Sequence, residues 1–201
     1  MKRLAIGMVV GMMLTSAVAV MAVETGQLAP EFSLQDINGK PLSLAKLRDK
    51  VVVLEWINHG CPFVKKHYDS GNMQALQKEF TAKGVQWLSI CSSAEGKQGH
   101  MKPVEWRIVA KEKGGAATAI LLDDWGKVGT LYGAKTTPHM FIIDPKGILI
   151  YQGAIDDTPS ADPADVKGAV NYVRAALEEA LEGKPVSTSM TKPYGCGVKY
   201  K

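Results

Sequence analysis

Polar and apolar positions change period several times along the chain, and each change marks an element. "EFSLQDINGKPLSL" holds two short alternating runs around Asn38-Gly39, the favoured dipeptide of a tight hairpin turn. "KVVVLEWI" is continuously apolar and β-branched, the pattern of a strand buried on both faces, and "GVQWLSI" reads the same way. Between them, Phe63, Val64, His67, Met73, Leu76 and Phe80 follow helical spacing after Cys61-Pro62, with Ser70-Gly71-Asn72 interrupting the pattern. Pro103 opens another helical segment to about Lys113, ended by Gly114-Gly115.

Further on, "TAILLD" predicts a short strand and "WGKVGTLYGA" a short helix closed by Gly133. "HMFIID" and "ILIYQGA" flank Asp144-Pro145-Lys146-Gly147 as a hairpin. A last helix is expected from about Pro163 to Glu182, with Val166, Val170, Val173, Leu177 and Leu181 on one face. The order predicts an α/β fold around a central mixed sheet flanked by helices, with an N-terminal β-hairpin. The polar remainder, "GKPVSTSMTKPYGCGVKY", forms a C-terminal tail.

The N-terminus belongs to none of this. Lys2 and Arg3 precede the apolar "LAIGMVVGMMLTSAVAVMA", and Val20-Met21-Ala22 fits a small-x-small cleavage rule, as does Ala17-Val18-Ala19. A single membrane anchor is the competing reading. The expected organisation is a signal peptide over 1–22, one domain over 23–183 and a tail over 184–201, exported to the periplasm or beyond the cell. The mature form is expected to need no membrane. A formal charge of +4 leaves no footprint for nucleic acid. In an oxidising compartment the chain's 3 cysteines, Cys61, Cys91 and Cys196, can form disulfides, and the odd number leaves one over.

"GQLAPEFSLQDINGKPLSL", the strand leading to Trp56 and Cys61, Thr137-Pro138, and "FIIDPKGILIYQGAI" together resemble the thioredoxin-like superfamily. Within it they resemble the peroxiredoxin-like (alkyl hydroperoxide reductase/thiol-specific antioxidant) redoxins, over about Gly26 to Gly183. The resemblance implies a thioredoxin-like fold, with Cys61 at the nucleophilic position and Thr137-Pro138 as a cis-proline loop beside it. Trp56 and Pro62 belong to the same active-site region, with Glu55 and His139 as further candidates for its lining. The thioredoxin C-x-x-C pair is broken, because "CPFV" puts Val64 where the second cysteine stands. The peroxidatic P-x-x-x-T-x-x-C pattern is broken too, with Leu54 and Asn58 at its proline and threonine. The sequence resembles a subgroup with a single cysteine at the first thioredoxin position.

Cys61 stands after a buried strand and before a helix-starting proline, where unpaired N–H groups favour a thiolate. Lys65, Lys66, His59 and His67 add candidate positive potential. A copper or zinc site from His59, Cys61, His67 and His139 is a weak signal, since Ile57 replaces the upstream cysteine of C-x-x-x-C-P; no metal and no cofactor are expected. Cys91, in "LSICSS", reads as a buried residue. Cys196 lies between two glycines in the tail, which from Glu182 extends roughly 45 Å and can cross a domain roughly 30–35 Å wide. The expected couple is therefore Cys61–Cys196, acting on protein or small-molecule thiols and disulfides or on peroxide. The alternative is a non-catalytic binding module whose Cys61–Cys196 bridge is structural.

Overall fold

A computed structural model describes residues 22–201. The expected signal peptide lies outside them but for Ala22. Seven strands form one mixed sheet. Its centre is parallel: β3 (Val52–Trp56) lies beside β4 (Gln86–Cys91), and β4 beside β5 (Ala119–Leu122). The flanks are antiparallel. β7 (His139–Ile143) and β8 (Leu149–Gly153) form the expected hairpin against β3, while β1 (Ser33–Asp36) and β2 (Pro41–Ser43) close the other edge.

The two periods of β3 explain the layers. Val53 and Ile57 face a core built with Val64 and Tyr68 of α1 (Pro62–Asp69) and with Met73, Leu76 and Phe80 of α2 (Asn72–Ala82). Trp106 of α3 (Pro103–Lys113) and Val173 and Leu177 of α5 (Tyr172–Leu181) complete it. Val52, Leu54 and Trp56 face a second core, with Phe32, Phe141 and Val128 and Tyr132 of α4 (Lys127–Tyr132). Every residue of β3 is buried, as a strand sandwiched between two apolar layers must be. Gly71 takes the left-handed conformation that separates α1 from α2.

The last helix differs from expectation. Residues Pro163–Val166 form a single 3₁₀ turn, Gly168 adopts a left-handed φ of 98°, and the α-helix begins only at Tyr172. Asn171 caps it by accepting from the Arg174 N–H at 2.8 Å. Val170 is consequently exposed and Val166 half-buried, so the buried stripe starts at Val173. Apolar spacing continued through a segment whose backbone turns.

The tail is folded onto the domain. Gln152 and Thr191 bond along the outer edge of β8, and the Thr191 hydroxyl meets the Ala154 N–H and Tyr151 Oη. The chain then crosses the sheet end, where β9 (Cys196–Gly197) pairs antiparallel with β6 (Thr136–Thr137). Beyond it, Val198 bonds to Lys135, Lys199 to Ala94, and Tyr200 Oη to the Ala134 carbonyl. No helix among the described residues is long and apolar enough to cross a membrane.

Candidate active site

Cys61 caps the N-terminus of α1, with Pro62 in the first turn. Pro62 fits there because its missing N–H would have had no helical partner. The register β6–β9 sets Cys196 opposite Thr137, and the Thr137–Pro138 peptide bond is cis. The Cys61 thiol donates to the Thr137 carbonyl at 3.0 Å. Tail, cis-proline loop and helix N-terminus therefore converge on one sulfur. All three cysteines are free thiols.

Gly195 makes this approach possible. Its φ is 143°, and a Cβ there would sit 2.2 Å from the Thr137 carbonyl oxygen. Only a residue without a side chain lets the tail backbone come so close.

The two thiols are electrostatically unequal. Burial pushes Cys61 up, but hydrogen bonds from the Cys196 thiol, the Val64 and Cys196 N–H groups and the Thr137 side chain outweigh it. Cys61 consequently lies below its ordinary value. Cys196 is pushed up to about 11, first by burial and then by the Cys61 sulfur. While Cys61 is a thiol the Thr137 hydroxyl is buried without a hydrogen-bond partner, and so is available to a thiolate. Such a pair keeps one sulfur nucleophilic and the other protonated. Cys61 is also fully buried, at 0% exposure, under the tail.

Behind Cys61 lies a cluster that sequence reasoning missed. Lys66 is fully buried, and its ammonium meets Asp156 at 3.3 Å, the Thr158 carbonyl at 2.6 Å and Tyr194 Oη at 3.3 Å. Tyr194, two residues before Cys196, donates to Asp156. Asn72 donates to His67 Nδ1 at 2.9 Å, leaving Nε2–H to donate to Tyr194 Oη at 3.2 Å. Burial lowers the His67 pKa to about 4, with Asp156 opposing and Lys66 reinforcing. Lys66 and His67 thus hold the tail and are not free charges beside Cys61. The only sequence signal was a lysine at a buried turn of α1. Nothing marked Asp156 or Tyr194 as its partners.

The other candidates are engaged in packing or in hydrogen bonds of their own. Trp56 is buried in the second core, its indole bonded to Ser92 at 3.0 Å, whereas Cys61 belongs to the first. Glu55 is buried and accepts from Tyr68, Gln77, Trp87 and Ser89; burial nonetheless raises its pKa. His139 accepts from the Lys135 N–H at 3.2 Å, and the His59 ring packs edge-on to Tyr68 and tilted against Trp106. Asn58, at the peroxidatic threonine position, accepts from the Gly60 N–H and donates to the Gln98 carbonyl, so its amide supports the loop. Leu54 is core. Cys91 is buried on β4, its thiol donating to the Gly99 carbonyl at 3.4 Å, and burial raises its pKa.

Similarity to known proteins agrees with this geometry. The chain is 26% identical over 129 residues to the thiol-disulfide oxidoreductase ResA of Bacillus subtilis, a match covering 64% of this chain and 66% of that relative. The crystal structure of an uncharacterized conserved protein from Geobacillus kaustophilus superposes with a TM-score of 0.77 at 30% identity, covering 89% of this chain and 93% of that one. The thioredoxin domain of a thiol-disulfide oxidoreductase from Bacteroides vulgatus shares the fold, with a TM-score of 0.52 at 22% identity over 65% of this chain and 89% of that one. The AhpC/TSA family pattern matches residues 25–152, the span from the N-terminal segment through Cys61 and the cis-proline loop to β8. The chain belongs to the AhpC/TSA family, with a thioredoxin-like fold.

Proposed function

We propose that this protein is an exported thiol-disulfide oxidoreductase in which Cys61 attacks and Cys196 resolves. One observation carries the reading: the tail pairs with the cis-proline strand so that Cys196 faces Cys61 from Thr137's partner position. The Cys61 thiolate attacks a substrate disulfide, forming a mixed disulfide and releasing one substrate thiolate. Cys196 then attacks the Cys61 sulfur, expels the second substrate thiolate and closes the Cys61–Cys196 bridge. The two protons lost by the protein pass to the two leaving thiolates. The substrate gains two electrons, and a thiol reductant restores the dithiol. The part of the Cys196 pKa elevation that comes from Cys61 disappears once Cys61 is bonded, which releases Cys196 for the second attack. A peroxide substrate has less support, because Leu54 and Asn58 are occupied by packing and loop bonding.

The complete burial of Cys61 favours one competing reading, a non-catalytic module pinned by a permanent bridge. Equilibration with glutathione separates the two. A catalytic couple exchanges readily at glutathione poise; a structural one sits below roughly −300 mV. A bridge that resists glutathione overturns the catalytic reading.

A further inference from the structure

With the tail docked, Cys61 has no access to solvent, yet the same tail supplies Cys196. Reaction with anything outside the protein therefore requires the tail to lift, and resolution requires it to return. The β6–β9 pair holds Cys196 by its backbone, and the nearest side-chain fastening along the chain is Tyr194. Its hydroxyl sits among Lys66, His67 and Asp156, accepting from the first two and donating to the third, and its ring meets Phe63 at 5.8 Å. Lys66 uses its three protons on Asp156, Thr158 and Tyr194, so losing the hydroxyl leaves one of them without its acceptor.

We propose that Tyr194 is the positioning residue that latches the tail over Cys61, its release admitting substrate and its closure delivering Cys196. The proposal rests on the Cys61–Cys196 reading. It assigns the buried Lys66–Asp156 pair a purpose beyond the fold: a fixed, desolvated socket that only a phenol hydroxyl on the tail completes.

The test is Tyr194→Phe, which keeps the ring and removes the hydroxyl. Reduced protein is alkylated with iodoacetamide, and each cysteine is followed by peptide mass spectrometry, with rates taken at the thiolate plateau. A hydrogen bond to charged groups is worth roughly a 10- to 100-fold change in the open fraction, and the reactivity of a buried thiol follows that fraction. Cys61 alkylation should accelerate by about that factor while Cys91, inside β4, keeps its rate. In the same variant a glutathione mixed disulfide on Cys61 should resolve several-fold more slowly. An unchanged Cys61 rate overturns the latch, and so does a parallel acceleration of Cys91, which signals loosening of the whole domain. Should Tyr194→Phe not fold, native hydrogen exchange decides: the amides of 189–199 must open together and sooner than those of β3, and equal protection overturns the latch. Failure of the redox reading looks different. The latch variant exposes Cys61, but the mixed disulfide never resolves, even in the wild type.

Discussion

At the scale of single residues, the decisive asymmetry is between two sulfurs that share a burial site. The Cys196 thiol and N–H hydrogen-bond to Cys61, while the Cys61 sulfur pushes Cys196 up. Removing the donor should undo this. In a Cys91→Ser background, Cys196→Ala should raise the Cys61 pKa, whereas Cys196→Ser, which keeps a donating hydroxyl, should raise it less. Thiolate absorbance against pH reads both. Equal titration curves for the two variants would place the thiolate stabilisation elsewhere, at the α1 N-terminus alone. Asp156 makes a second prediction at this scale. Truncating one partner of a buried ion pair strands the other, at about 3–5 kcal/mol. Asp156→Ala should lose about that much in urea unfolding, and Lys66→Met should cost less, because Asp156 keeps the Thr158 N–H and the Tyr194 hydroxyl as donors and methionine leaves no large cavity. An Asp156→Ala loss under about 1 kcal/mol would mean that Lys66 reaches water.

Among the elements, β9 depends on one glycine. Gly195→Ala puts a Cβ into the Thr137 carbonyl at a φ that side chains rarely adopt. The strand pair β6–β9 should fail, and bridge closure should slow roughly 10-fold or more for a strain of roughly 1–3 kcal/mol. Stopped-flow oxidation of the dithiol checks it; wild-type closure rates would show that the tail reaches Cys61 by another path. The elements also show what the sequence could reveal. Strands β3 and β4, the Gly71 break and the helix from Pro103 to Lys113 follow from apolar periodicity and from proline and glycine chemistry, all local signals. The start of α5 did not, because apolar spacing persisted through Gly168 while the backbone turned. The Cys61 setting was legible from a strand end followed by proline. The socket of Lys66, Asp156 and Tyr194 was not, because its members lie on three distant segments and none has a motif.

For the molecule as a whole, pH acts through histidines held neutral by the fold. His59 and His67 are lowered to about 4 and His139 to about 3, in each case first by burial. Their ordinary value is 6.5, so between pH 6.5 and about 4 the unfolded chain binds more protons than the native one. Stability contributed by these residues is present above pH 6.5 and is lost as pH falls through that window. Glu55, raised by burial, works in the opposite direction, but it is one group against three. Thermal midpoints should therefore fall from pH 6.5 to 4, and a flat profile would contradict the neutral, buried assignment. His67→Gln should flatten part of the slope.

The proposed chemistry fixes an order of events, with Cys61 attacking first and Cys196 resolving. The most direct measurement is mass spectrometry of single-cysteine variants after reaction with oxidised glutathione. Cys196→Ser should accumulate a glutathione adduct on Cys61, wild type should pass to the Cys61–Cys196 bridge, and Cys61→Ser should gain an adduct at Cys196 far more slowly, since burial, the first cause of the raised Cys196 pKa, remains when Cys61 is removed. A Cys61→Ser protein that forms the adduct on Cys196 at the wild-type rate, or a Cys196→Ser protein in which Cys91 closes the bridge, would contradict it.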